Sequence, residues 1–176
     1  RRTPNRQITL MENWEEKILK MAESSLKEDV KIIAGVPSWM LVLLNKIIEV
    51  AEGKTINEIW PNLELYMHGG VNFDPYKSQF DSLINSKKLN YYQTYNASEG
   101  FFSLQNENKA DDMLLMLDYG IFYEFIPMDK FDGTNSNAIS LEEVELNKNY
   151  AIVISTNGGL WRYLVGDTVK FTSLSP

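Results

Sequence analysis

The chain has 176 residues, of which 44% are hydrophobic and 23% charged, with 17 Lys plus Arg against 24 Asp plus Glu and a formal net charge of −7. That length suits one domain with a sizeable core, and the apolar share excludes a disordered polymer. The acidic balance argues against a groove that tracks nucleic-acid phosphates, and the absence of cysteine excludes a disulfide frame and a thiolate metal site.

The lack of cysteine fits a cytoplasmic protein. The longest apolar-rich stretch, Val36 to Val50, is interrupted by Pro37, Ser38, Asn45, Lys46 and Glu49, so it is too short and too polar to span a bilayer. No signal-peptide core follows Arg1-Arg2-Thr3-Pro4. The expectation is therefore no nucleic-acid partner and no membrane. The chain lacks Met at position 1 and reads as if cut from something longer.

In chain order, residues 9 to 26 predict an amphipathic helix, with Leu10, Trp14, Ile18, Met21 and Ser25 recurring at helical spacing. Val30 to Ala34 reads as a short strand. Pro37 suits the first turn of a helix that runs to about Glu52 and stops at Gly53. Trp39, Met40, Leu43, Leu44 and Ile47 could line an acyl pocket, but helix core is their default reading. Leu63 to Met67 predicts a buried strand ending at His68-Gly69-Gly70. Asp74-Pro75 opens another helix with Asp74 as its N-cap.

From Asn90 the pattern changes to strands: Tyr91 to Tyr95, Phe101 to Leu104, and Met113 to Leu117 with Ile121 to Ile126 about a hairpin at Asp118-Tyr119-Gly120. The run from Tyr119 to Phe125 reads as a strand buried on both faces. Tyr150 to Thr156, Leu160 to Val165 and Val169 to Ser173 flank turns at Asn157-Gly158-Gly159 and Gly166-Asp167. Lys130 to Ser140, rich in Asn, Gly and Ser, is the one plausible flexible insert. The fold class expected is α/β: alternating strand and helix in the first half, antiparallel hairpins in the second, as one unit over 1–176.

Two turns carry the chemistry. In Tyr95-Asn96-Ala97-Ser98-Glu99-Gly100, a carboxylate on a turn can hold a magnesium ion that neutralises phosphate charge, and Ser98 can reach a base or phosphate. In Gly159 to Asp167, Asp167 can accept hydrogen bonds from both ribose hydroxyls. Each pattern alone also fits an ordinary surface turn. Gly69 and Gly70 permit a flat ligand to approach the backbone, or serve a helix-entry loop with unusual dihedrals. His68 is the only histidine, so it reads as a hydrogen-bonded structural residue rather than a metal ligand or catalyst.

Taken in order, these pieces resemble the auxin-responsive Gretchen Hagen family of acyl acid-amido synthetases, within the adenylate-forming superfamily. The resemblance runs through Ile33-Ala34-Gly35-Val36-Pro37-Ser38-Trp39, Trp60-Pro61-Asn62-Leu63, His68-Gly69-Gly70-Val71, Tyr95 to Gly100, Tyr123-Glu124-Phe125-Ile126-Pro127 and Gly159 to Asp167. Its wording is closer to bacterial members than to the plant hormone-conjugating ones.

The resemblance implies part of the large N-terminal domain of an adenylate-forming enzyme. It implies Gly69 and Gly70 beside adenine, Tyr95 near the base, Ser98 and Glu99 at the nucleotide and magnesium positions, and Asp167 on the ribose, with Arg162 and Tyr163 bracing that turn. It implies ATP and Mg2+, a small carboxylic acid that becomes an acyl-AMP, and an amine or amino acid that displaces AMP. An acyl-CoA ligase or a non-catalytic nucleotide-binding or interaction domain is the alternative.

Three departures stand out. Leu164 replaces an arginine of many plant members, no Ser- and Gly-rich phosphate loop is present, and no C-terminal domain follows Asp167. The expectation is a middle segment, inactive alone and prone to self-association. The acid and the acceptor are not legible.

Overall fold

The computed structural model describes residues 2–86, 88–108 and 110–175. The chain forms two compact units: residues 2–95 with 105–110, and residues 96–104 with 111–175.

The first unit begins with two helices, α1 (Arg6–Thr9) and α2 (Trp14–Ser25). The apolar spacing predicts one helix over residues 9 to 26. Instead the Asn13 side chain accepts from the Glu16 backbone N–H at 3.0 Å and starts a new helix at Trp14. Leu10 is consequently left 66% exposed, and the buried stripe is Ile18, Ala22 and Ser25.

Strand β1 (Ile32–Ala34) leads into α3 (Pro37–Val50), where proline takes the first turn. Met40, Leu41, Leu44 and Ile47 form its buried face. Burial of each such side chain stabilises by about 1.5–3 kcal/mol. The helix ends two residues earlier than Glu52. Gly53, at φ 85°, returns its N–H to the Ile48 carbonyl at 3.0 Å. The short α4 (Ile56–Ile59), which the sequence reading passed over, is held by a reciprocal Thr55–Glu58 capping box.

Next come β2 (Leu65–Gly69), α5 (Asp74–Ile84) and β3 (Asn90–Ala97). Asp74 lies inside α5 rather than capping it. Phe73 is the N-cap, and Asn72 Oδ1 accepts from the Asp74 N–H at 3.1 Å.

β1 pairs with β2 and β2 with β3, both parallel, so the helices α3, α4 and α5 are crossovers. The core gathers α2, α3 and α5 around Tyr66, whose ring stacks on Phe80 at 4.7 Å. Trp60 Nε1 donates to the Ser25 carbonyl at 3.1 Å, tying the end of α2 to the end of α4.

The second unit contains β4 (Gly100–Leu104), β5 (Leu114–Leu115), β6 (Ile121–Pro127), β7 (Asn149–Thr156) and β8 (Tyr163–Lys170). The expected hairpin at Asp118-Tyr119-Gly120 does not form. β5 pairs back with β4, while β6 pairs forward with β7 from Ile121↔Thr156 to Pro127↔Tyr150. β6 is buried on both faces only toward its C-terminal end, at Phe125 and Ile126; nearer its start Phe122 is 63% exposed. The insert from 130 to 140 is tied down, because Ile139 exchanges backbone hydrogen bonds with Phe125 at 2.8 and 2.9 Å.

The sequence predicts a hairpin turn at Gly166-Asp167. The pair is no hairpin turn between two strands. It lies within β8, where Ala151 opposes Thr168 and Val153 opposes Leu164. Ile152 thus faces three residues, a bulge that Gly166 permits with φ 93°.

Candidate nucleotide site

The first unit holds Gly69, Gly70 and Tyr95. Gly69 closes β2, opposite Thr94 of β3. A Cβ there would overlap the Thr94 carbonyl oxygen and lie 2.9 Å from Thr94 Oγ1. Its missing side chain is therefore taken up by the neighbouring strand. Gly70 needs its φ of 82° to turn the chain out of the sheet. Tyr95 is half-buried on β3.

His68, just before the glycines, is buried. Its ring stacks on Phe73 at 3.9 Å, and Nδ1 has no hydrogen-bond partner. Burial holds its pKa down at about 4, so the imidazole is neutral at pH 7. His68 lies among the rings of Tyr66 and Phe73. The hydrogen bond expected of its ring is missing at Nδ1.

The second unit holds Ser98, Glu99 and Asp167. Ser98 and Glu99 form the two-residue connection between β3 and β4. A Cβ on Gly100 would meet Ile121 Cδ1 at 2.7 Å, so a glycine lets this turn lie against the start of β6. The Tyr163 hydroxyl donates to Glu99 Oε1 at 3.2 Å, which joins the two sequence motifs across 64 positions. Asp167 sits exposed on the β8 bulge, four residues beyond Tyr163.

Just before β8, Arg162 grips Glu124 with both arms of its guanidinium, Nε to Oε2 and Nη2 to Oε1, each at 3.0 Å. The sequence reading missed Glu124. A lone acid in the apolar run from Ile121 to Ile126 was the available signal, since a half-buried carboxylate needs a cation. Near the same end of the sheet lies an open hollow of about 470 Å³, lined by Leu117, Ile121, Phe122, Asn157 and Trp161 among others.

Among the described residues no three His, Asp or Glu side chains cluster to hold a metal. A single carboxylate such as Glu99 still fits magnesium carried by a nucleotide, because that ion keeps waters and takes one or two carboxylates plus phosphate oxygens.

Residues 1–89 match the GH3 family N-terminal domain, and residues 114–176 match the GH3 family central domain. The chain belongs to the GH3 family.

Among GH3 relatives, the jasmonoyl–L-amino acid synthetase JAR4 of Nicotiana attenuata is 27% identical over 184 residues, covering 89% of this chain and 30% of JAR4. The 4-substituted benzoates–glutamate ligase GH3.12 of Arabidopsis thaliana is 29% identical over 187 residues, covering 95% of this chain and 31% of that protein. The chain thus spans about a third of the length of the curated relatives it matches.

In structure, the GH3.15 acyl acid amido synthetase superposes with a TM-score of 0.70 at 15% identity, over 93% of this chain and 38% of that one. A 2-hydroxyisobutyryl-CoA ligase in complex with 2-HIB-AMP and CoA gives 0.67 at 16%, over 91% and 33%. The fold is the mixed α/β fold of the N-terminal domain of adenylate-forming enzymes.

Proposed function

We propose that this GH3 chain is a middle segment, of bacterial type, of a cytoplasmic ATP- and Mg2+-dependent ligase that joins a small carboxylic acid to an amine or amino acid through an acyl-AMP. The observation that carries the reading is the 3.2 Å hydrogen bond between Tyr163 and Glu99. It brings the expected metal carboxylate and the strand of the expected ribose carboxylate into one unit. The names of the relatives, synthetases of acid–amino acid conjugates, support the same chemistry.

In this reading residues 1–176 are one part of the adenylation domain. Asp167 holds the ribose, Ser98 contacts the nucleotide, and Gly69, Gly70 and Tyr95 border the base. Glu99 would hold magnesium, which when bound offsets charge at the α-phosphate.

Acid-dependent exchange of pyrophosphate into ATP by the full-length protein, over a panel of acids, tests the first step. Capture of the acyl group by amino acids rather than by a CoA thiol tests the second. No exchange with any acid, beside intact ATP binding, would make the protein a nucleotide-binding module instead. The 176 residues alone are expected to give no exchange, lacking a phosphate loop. They are also expected to self-associate through exposed side chains such as Leu117, Phe122 and Trp161. A monomeric light-scattering profile with no dye-binding surface refutes that last point.

A further inference from the structure

Arg162 has φ 46°, a left-handed conformation that side chains of its kind rarely adopt. Its surroundings hold it there. Its N–H donates to Ser155 Oγ at 2.9 Å, and its carbonyl accepts from Asn135 Nδ2 at 2.9 Å. Its guanidinium forks onto Glu124 and also donates to the Asn135 carbonyl at 3.0 Å. A strained backbone fixed from several sides at once is a feature of sites where geometry matters.

The pairing of β6, β7 and β8 shows what the strain achieves. Glu124, Val153 and Leu164 are cross-strand neighbours and share one face of the sheet. Tyr123, Ile154 and Tyr163 share the other. Arg162 anchors to Glu124, on the first face. One residue later the chain enters β8 with Tyr163 on the opposite face, where its hydroxyl meets Glu99.

We propose that Arg162 is a positioning residue for Glu99, acting through Tyr163. The fork on Glu124 fixes the backbone that aims the Tyr163 hydroxyl, and the hydroxyl fixes one carboxylate oxygen so that the other faces a cation. This inference rests on the metal role proposed for Glu99. A lysine cannot replace the arginine, because a single ammonium does not reproduce the planar two-armed grip.

The test uses the full-length protein and its Arg162→Lys, Arg162→Gly and Tyr163→Phe variants, with the double variant Arg162→Lys/Tyr163→Phe. Mn2+ is the probe, titrated by electron paramagnetic resonance in the presence of ATP and without acid. Hydrogen exchange of residues 96–104 and 149–156 is followed in parallel. Arg162→Lys and Tyr163→Phe are each expected to weaken Mn2+ by roughly tenfold, as loss of an outer-shell partner does. The double variant should lose no more than either single change. Arg162→Gly, which relieves the backbone but removes the fork, should match Arg162→Lys.

Exchange should rise in 96–104 and stay unchanged in 149–156 for Arg162→Lys. Additive losses in the double variant overturn the proposal. So does wild-type Mn2+ affinity in Arg162→Lys, or exchange rising equally in both segments, which marks a purely structural role. If the unaltered protein binds no Mn2+ with ATP, the metal reading of Glu99 fails, and this inference fails with it. If it does bind and the variants match it, this inference alone fails.

Discussion

Gly69→Ala separates a glycine kept for packing from one kept for a ligand. The new methyl would press on the backbone carbonyl of Thr94, which has no flexible end to move aside, and on Thr94 Oγ1 at 2.9 Å. The last pair of the β2–β3 ladder, Gly69↔Thr94, must then open. Overpacking of this kind costs about 1–3 kcal/mol. The Thr94 hydroxyl also donates to the His68 carbonyl at 3.2 Å, and losing that bond adds about 1 kcal/mol. The expected loss is roughly 2–4 kcal/mol, or about 1–2 M in urea midpoint at a typical slope. Tryptophan fluorescence is the suitable probe, because three of the four tryptophans, Trp14, Trp39 and Trp60, lie in the same unit as Gly69. Gly70→Ala is the control: its Cβ would stand 3.4 Å from Val36 Cγ2, so only the left-handed backbone is strained, at about 1 kcal/mol. An unchanged midpoint for Gly69→Ala would refute the packing argument. Weakened ATP binding at that unchanged midpoint would return Gly69 to the ligand.

His68, with a pKa near 4 when folded and 6.5 when unfolded, takes up its proton mainly in the unfolded state. Stability should therefore fall as pH drops from about 6.5 to about 4, by at most about 3 kcal/mol. His68→Phe should remove that part of the slope in urea titrations at pH 7 and 4.5; identical slopes count against it. Leu44→Ala, at a fully buried position of α3, should cost about 3–5 kcal/mol by urea unfolding, and a cost under 1 would mean the core is not packed as described. In the full-length enzyme, Asp167→Ala should weaken ATP by about 2–4 kcal/mol in calorimetry, and Glu99→Ala should chiefly slow single-turnover acyl-AMP formation. Normal ATP binding by Asp167→Ala, with lost binding but a usual rate for Glu99→Ala, would reverse the two roles.

The elements with strong local signals were legible. Pro37 and Gly53 bracket α3, and the apolar run at Leu63 and the aromatic run at Tyr91 place β2 and β3 to within a few residues. Local signals mislead where a side chain or a partner strand decides. Asn13 restarts a helix that apolar spacing carries through from residue 9. Gly166 looks like a turn from its neighbours alone, but β7 runs unbroken beside it and makes it a bulge. Pairing choice is long-range too: nothing local tells Leu114–Leu115 to join β4 instead of β6. At the site, the sequence supplied the carboxylates and the tyrosine. Glu124 as the partner of Arg162, 38 positions away, needed the strand register.

The division of the chain into units also sets where it can be cut. The polypeptide passes between the two units after Tyr95, after Leu104 and after Ala110. The central-domain match begins at residue 114, but the unit containing it includes residues 96–104, whose β4 is the partner of β5. A polypeptide beginning at Asp111 would thus leave Leu114–Leu115 without its ladder and Phe102 absent from beside Tyr123, a ring contact at 6.3 Å. In this chain the stretch matched to the central domain draws on a strand encoded ahead of it. Splitting or shuffling the chain there should give an insoluble product unless residues 96–104 travel with it.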